Sequence, residues 1–297
     1  MKIGIAGTGK MGTAMVKRLI GLGHQVVVWN RTPAGAAIAV AAGATQVAKA
    51  GELPGAVDVV ISIVLDAVAL EAVYSKETGL LAASVAGKLF IDMSTVRPEV
   101  QRAVGARVAA AGAAYLDSPV GGSVGPAADG KLIGFVGGAD ADVARARPVL
   151  ELLCRRVEHL GPVGAGAAMK LAINLPLMVY WQAFSEACSL IDDLKIDPAR
   201  VVDIFADTSG GPNMLKNRGP AIAKALAAGA GGPVSVDVAT MRKDLRTMLA
   251  EGAALKRDLP LTAQALACFD RAAASGADAA DCTHLPVWWL REGGRHA

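Results

Sequence analysis

Hydrophobic positions along the chain follow two different rhythms. In the first half, short apolar runs recur at 2–6, 25–29, 57–64, 88–92, 114–117 and 132–136, separated by longer Ala-rich stretches with helical spacing, the first of them at 11–22. Runs of this length suit strands buried on both faces, and their alternation with helices predicts right-handed βαβ units and a doubly wound, mainly parallel sheet. Near Gly161 the rhythm changes, and no convincing strand follows. A long helix is expected from near Gly166 to about Leu194. Further helices follow, broken at Asp197-Pro198, Gly210-Gly211-Pro212, 229–233 and Asp258-Leu259-Pro260.

The first run leads directly into Gly7-Thr8-Gly9-Lys10-Met11-Gly12, a GxGxxG loop between a strand and a helix. In that setting the first glycine permits the tight turn, and the second lets backbone amides approach a pyrophosphate. The third lets helix and strand pack closely, while the helix N-terminus adds partial positive charge. The expected organisation is an α/β Rossmann domain over 1–161, an interdomain helix over 162–194 and an all-helical substrate and oligomerisation domain over 195–297. A carboxylate at the end of the second strand would select NAD(H) by binding the ribose hydroxyls. Here the strand ends in Asn30-Arg31-Thr32. Arg31 can pair with a 2′-phosphate and Thr32 can donate a hydroxyl, so NADP(H) is the preferred cofactor and NAD(H) the alternative.

Three later segments carry chemistry. Asp92-Met93-Ser94-Thr95 ends a strand ahead of Arg97-Pro98; Asp117 through Pro126 follows another strand and is rich in Gly and Ser; and Met169-Lys170-Leu171 leads to Asn174. Lys170 and Asn174, four apart on a helix, project from one face. A surface lysine is the commoner fate, but Lys170 is flanked by Met169, Leu171, Ala172 and Ile173.

With these motifs in one order, together with Lys243-Asp244-Leu245, the chain resembles the β-hydroxyacid dehydrogenase family over almost its whole length. Members of that family include 3-hydroxyisobutyrate dehydrogenases, tartronate semialdehyde reductases and glyoxylate/succinic semialdehyde reductases. The resemblance implies the two-domain fold with its linking helix, a small-molecule substrate, and a homodimer or homotetramer. It makes Lys170 the general acid/base, with Asn174 orienting substrate or lysine. It puts Ser94, Gly121, Gly122 and Ser123 at the substrate, Thr95 near the nicotinamide, Val64, Leu65 and Asp244 along the cofactor, and Lys243 over both. Imine reductases resemble the same family but typically carry Asp or Tyr in place of the lysine, so Lys170 argues against C=N reduction as the main activity. A non-catalytic NADPH-binding interaction protein would also lack it.

Composition narrows the field. The net charge of +3 in 297 residues is slight and forms no basic stripe, which gives no case for a nucleic-acid partner. The apolar stretch around Lys170 is interrupted by charged and polar residues, against a membrane span. The four cysteines and four histidines are scattered without metal-ligand spacing, so no metal is expected, and reduced thiols fit a cytoplasmic location. Three positions depart from the family pattern. Gly121-Gly122-Ser123 stands where many relatives have Ser-Gly-Gly, Pro176 interrupts the long helix, and 234–238 carries valines without an aromatic.

Overall fold

The structure, a computed structural model, describes residues 1–208 and 210–293. It divides into two compact units, Met1–Leu171 and Ala172–Ala297. The division falls inside a long helix, whose first two turns belong to the first unit.

The first unit is built on one nine-stranded sheet. Its parallel part runs in the order β3 (Thr45–Gln46), β2 (Gln25–Trp29), β1 (Lys2–Ala6), β4 (Val59–Ser62), β5 (Leu89–Asp92) and β6 (Ala114–Asp117). Next to β6 comes β8 (Leu132–Gly137), which is antiparallel to it and pairs with β7 (Val120–Gly121) and β9 (Cys154–Gly161). Strand pleating sends alternate residues to opposite faces, and both faces are apolar. Ile3, Ile5, Val59, Ile61, Leu89, Ile91 and Leu116 join one core. Ala6, Val60, Phe90 and Tyr115 join the other.

The helices of this unit are α1 (Lys10–Gly21), α2 (Ala37–Ala41), α3 (Leu53–Ala56), α4 (Ala67–Val73), α5 (Pro98–Ala110), α6 (Val124–Asp129) and α7 (Asp140–Leu153). The short β3 and β7, and all of β9, lie outside the six apolar runs. Strand β9 carries Arg155, Arg156, Glu158 and His159 and is half-buried at most positions beyond Cys154, so it lacks the full burial that makes a strand legible.

Helix α8 (Ala165–Ser189) follows β9 and continues through Pro176. The second unit then contains α9 (Pro198–Ala206), α10 (Asn213–Ala228), α11 (Val238–Ala254), α12 (Pro260–Ala272) and α13 (His284–Trp288). Local chemistry sets their ends. Asp197 accepts from the Arg200 amide and Asp237 from the Thr240 amide as N-caps, and Gly229 ends α10 in the left-handed conformation. A single isolated bridge, Asp237 with Asp281, is the β-pairing found in this unit among the described residues. Asp281 gathers the amides of Ser235, Val236 and Thr283 and the hydroxyls of Ser235 and Thr283 at 2.7–3.3 Å.

All four cysteines are buried and unpaired. Burial pushes the thiols of Cys154, Cys188 and Cys282 up to about 12 and raises that of Cys268.

Candidate active site

The glycine loop joins β1 to α1, and its three glycines answer to different causes. Gly7 has φ +105, and a Cβ there would lie 2.2 Å from the Ile63 carbonyl oxygen. A Cβ on Gly12 would lie 2.0 Å from the Gly7 oxygen. Both glycines are therefore required by the packing of strand, turn and helix. Gly9 differs: a Cβ there would meet nothing within 4 Å among the described residues. The space beside Gly9, at the N-terminus of α1, is therefore open. The first-turn amides of a twelve-residue helix, with no side chain capping them, suit an anionic group such as a dinucleotide pyrophosphate.

Asn30, at the end of β2, turns toward this loop. Its Oδ1 accepts from the Thr8 amide at 3.1 Å and its Nδ2 donates to the Thr32 carbonyl at 2.9 Å. The Thr8 hydroxyl donates to the Gly35 carbonyl at 2.9 Å, and a Cβ on Gly35 would lie 2.4 Å from Asn30 Nδ2. Asn30 thus holds the glycine loop and the end of β2 together, which leaves exposed Arg31 and Thr32 as the groups facing solvent there. Lys10 is also exposed and Met11 half-buried.

The neighbouring strand ends contain a buried polar network. Asp92 accepts from Ser62 Oγ at 2.6 Å, Gln101 Nε2 at 2.8 Å, and the Ser94 amide and hydroxyl at 3.0 Å each. Tyr74 joins through Ser62 at 2.8 Å, and the Tyr115 hydroxyl donates to Gln101 Oε1. Burial raises the Asp92 carboxyl above its ordinary value, against the pull of these donors. Ser94, expected at the substrate, is part of this network. Ser94 is 1% exposed, and its hydroxyl, while donating to Asp92, accepts the Val64 amide at 2.9 Å. Its position fixes the Val64-Leu65 turn, where Leu65 stands 62% exposed, and Thr95 beyond it is half-buried.

Gly121-Gly122-Ser123 leaves β7 and enters α6. Gly122 has φ +126, a conformation strained for any residue with a side chain, and a Cβ there would lie 2.7 Å from Leu132 Cδ2, which would have to shift. Ser123 occupies the N-cap position of α6, but its hydroxyl makes no capping bond.

Where β6 ends, Asp117 reaches the start of α8. Its Oδ1 accepts the Gly164 amide at 2.6 Å and its Oδ2 the Ala167 amide at 2.7 Å. Burial pushes this carboxyl up to about 6, with the amides of Gly164 and Ala167 and its own amide opposing the shift and Asp92 adding to it. Lys170 is half-buried one turn further along α8.

In the helical unit, buried Asn174 donates its Nδ2 to Asp244 Oδ2 at 3.2 Å, and Lys243 Nζ lies 2.5 Å from Asp244 Oδ1. Asp244, expected along the cofactor, is buried and pairs with these two residues. One N–H of Asn174 is taken by Asp244, which leaves its second N–H and its oxygen to offer elsewhere.

Comparison with known proteins agrees with this layout. Residues 2–161 match the family described as the NAD-binding domain of 6-phosphogluconate dehydrogenase. Residues 164–287 match the one described as NAD-binding of NADP-dependent 3-hydroxyisobutyrate dehydrogenase. The chain is 36% identical to the 3-hydroxyisobutyrate dehydrogenase of Pseudomonas aeruginosa, over 93% of each chain. It is 32% identical to glyoxylate/succinic semialdehyde reductase 1 of Arabidopsis thaliana, over 93% of this chain and 94% of that one. Among solved structures, the Mycobacterium tuberculosis 3-hydroxyisobutyrate dehydrogenase with L-serine is similar, with a TM-score of 0.84 at 31% identity. That match covers 98% of this chain and 99% of that one.

Proposed function

Because the chain belongs to the β-hydroxyacid dehydrogenase family of NAD(P)-dependent oxidoreductases, we propose that it interconverts a small hydroxyacid and its semialdehyde or keto form, with NADP(H) as preferred cofactor and Lys170 as general acid/base. The observation that carries this reading is Lys170 itself, half-buried on α8 in a chain alike along nearly its full length to dehydrogenases of such acids.

The cofactor, when bound, supplies or accepts the hydride. Gly7, Thr8, Gly9, Lys10, Met11 and Gly12 would hold its pyrophosphate through the open approach at Gly9 and the N-terminus of α1. Asn30, bound to the Thr8 amide and the Thr32 carbonyl, puts no carboxylate at the end of β2. A 2′-phosphate would therefore meet Arg31 and the Thr32 hydroxyl without repulsion. Val64, Leu65 and Thr95 would line the cofactor further along.

Reduction of a carbonyl puts negative charge on its oxygen. The Lys170 ammonium would stabilise that charge and deliver the proton, and in oxidation the neutral amine would accept the proton from the hydroxyl. A substrate carboxylate would be received by the Gly121-Gly122-Ser123 turn, where the Ser123 hydroxyl is not spent on capping α6. Asn174 would orient the reacting group, with its amide fixed by Asp244, and Lys243, paired with the same carboxylate, would close over cofactor and substrate.

The test follows nicotinamide absorbance with NADPH or NADH against glyoxylate and succinic, tartronate and methylmalonate semialdehydes, and in reverse with serine and hydroxyisobutyrate. Lys170→Ala is expected to retain NADPH binding and to lose about 10²–10⁴-fold in kcat on the active substrate. Unchanged turnover in that variant would overturn the assignment of the lysine. Arg31→Ala is expected to weaken NADPH more than NADH; equal loss would remove the 2′-phosphate contact.

A further inference from the structure

We propose that Asp117 is a positioning residue for Lys170, acting from the sheet through the first turn of α8; this rests on the reading of Lys170 as the acid/base. The first turn of any α-helix has amides without partners inside the helix, and a side chain at the N-cap usually answers them. Gly164 stands at that position in α8, since its carbonyl accepts the Ala168 amide at 3.0 Å. It has φ +98 and no side chain. The missing cap is supplied from 47 residues earlier by Asp117, whose two oxygens take the amides of Gly164 and Ala167, one each.

Two attachment points on one turn fix more than one would. A single bond would let the helix pivot, whereas the pair sets both its advance along the axis and its rotation about it. Lys170 lies three residues beyond Ala167, on the same helix face, so that rotation decides where its ammonium is delivered. The seat below has no slack. A Cβ on Gly166 would fall 2.0 Å from the Phe135 carbonyl oxygen, and one on Gly137 would fall 2.3 Å from Asp117 Oδ1. The negative carboxylate also lies at the positive end of the helix dipole, which strengthens the attachment.

The same strand end serves the substrate loop. Asp117 is followed directly by Ser118-Pro119-Val120 and then Gly121-Gly122-Ser123, while the Ser118 amide donates to the Asp92 carbonyl at 2.6 Å. One short segment therefore starts the loop that would receive the carboxylate and anchors the helix that carries the acid/base.

The test is a double-mutant cycle with Asp117→Asn and Lys170→Ala, with kcat normalised to NADPH-binding sites. Asparagine keeps the shape and one acceptor, but its NH2 group faces an amide hydrogen. In the Lys170 background kcat is expected to fall about 10- to 100-fold with NADPH affinity unchanged, because small misplacements of a catalytic group cost that much. In the Lys170→Ala background the same substitution is expected to cost nothing further. An equal fall in both backgrounds, or none in the first, would overturn the proposal and leave Asp117 a purely structural cap. If Asp117→Asn does not fold, Asp117→Ser, which retains one acceptor without adding volume, enters the same cycle with the same outcomes. Full activity in Lys170→Ala alone would instead remove the acid/base reading on which the proposal rests.

Discussion

Asp117 in the nucleotide-binding unit and Asp281 in the helical unit are both buried carboxylates that accept backbone amides, yet they are displaced in opposite directions. Burial raises each of them first. At Asp281 the amides and hydroxyls of Ser235 and Thr283 outweigh it, and the carboxyl is held down to about 2. At Asp117 the amides of Gly164 and Ala167 do not, and the carboxyl stands at about 6. The difference lies in depth and in donors: Asp117 is wholly buried, feels Asp92 and receives two amides from other residues, whereas Asp281 receives three amides and two hydroxyls, with the Cys282 thiol at 3.7 Å as well. A buried carboxylate becomes a stable charge only when its lone pairs are filled. Asp281 is a knot tying the strand-like segment before α11 to the one before α13. Asp117 is a costly charge kept at a helix start.

The contrast can be broken outright at Asp281. Asp281→Ala strands several buried donors at once and is expected to lose about 4 kcal/mol of stability in chemical denaturation. A loss under about 1 kcal/mol would mean that water replaces the carboxylate and that the knot is not structural.

A second comparison uses pH, and the signs are opposite. Asp117, raised from an ordinary 3.8 to about 6, favours the folded state most when protonated. Its contribution is present below about 4 and is lost as pH rises to about 6, amounting to about 3 kcal/mol. Asp281, lowered from 3.8 to about 2, contributes above its unfolded value, and that contribution disappears as pH falls toward 2. The stability difference between wild type and Asp117→Asn should therefore shift by about 3 kcal/mol across the upper window, in favour of the variant as pH rises. A constant difference across that window would show that Asp117 does not titrate there. The smallest effect is expected from Ser235→Ala. Removing one hydroxyl donor should cost about 1 kcal/mol and move the acid limb set by Asp281 to higher pH. An unmoved limb would show that the amides alone hold that carboxylate down.

The same contrast between local and remote partners explains what the sequence disclosed. Strands with apolar residues on both faces, the glycine turn and the breaks at Pro198, Gly229 and Pro260 are local signals, and the structure has elements beginning or ending there. Strand β9 was hidden because an edge strand with Arg155, Arg156 and Glu158 has no apolar pattern to read. The roles of Ser94, Asp117 and Asp244 were hidden for another reason. Each is defined by partners far along the chain: Val64 for Ser94, Gly164 and Ala167 for Asp117, Asn174 for Asp244. Residue type and spacing point to polar groups near a site; which of them face outward and which are spent underneath is decided by packing. Asn30 is the intermediate case. The absence of a carboxylate after β2 is legible, but its hold on the glycine loop requires the 3.1 Å bond to the Thr8 amide.

The four buried cysteines have a practical consequence. A thiol kept neutral and away from water neither alkylates nor exchanges disulfides readily at neutral pH, and burial pushes Cys154, Cys188 and Cys282 up to about 12. The native chain is thus a silent background for thiol-directed labelling. A single cysteine introduced at exposed Leu65 or Leu190 would take a maleimide dye far faster than any native position, giving each of the two units its own fluorescent reporter without first removing a native residue.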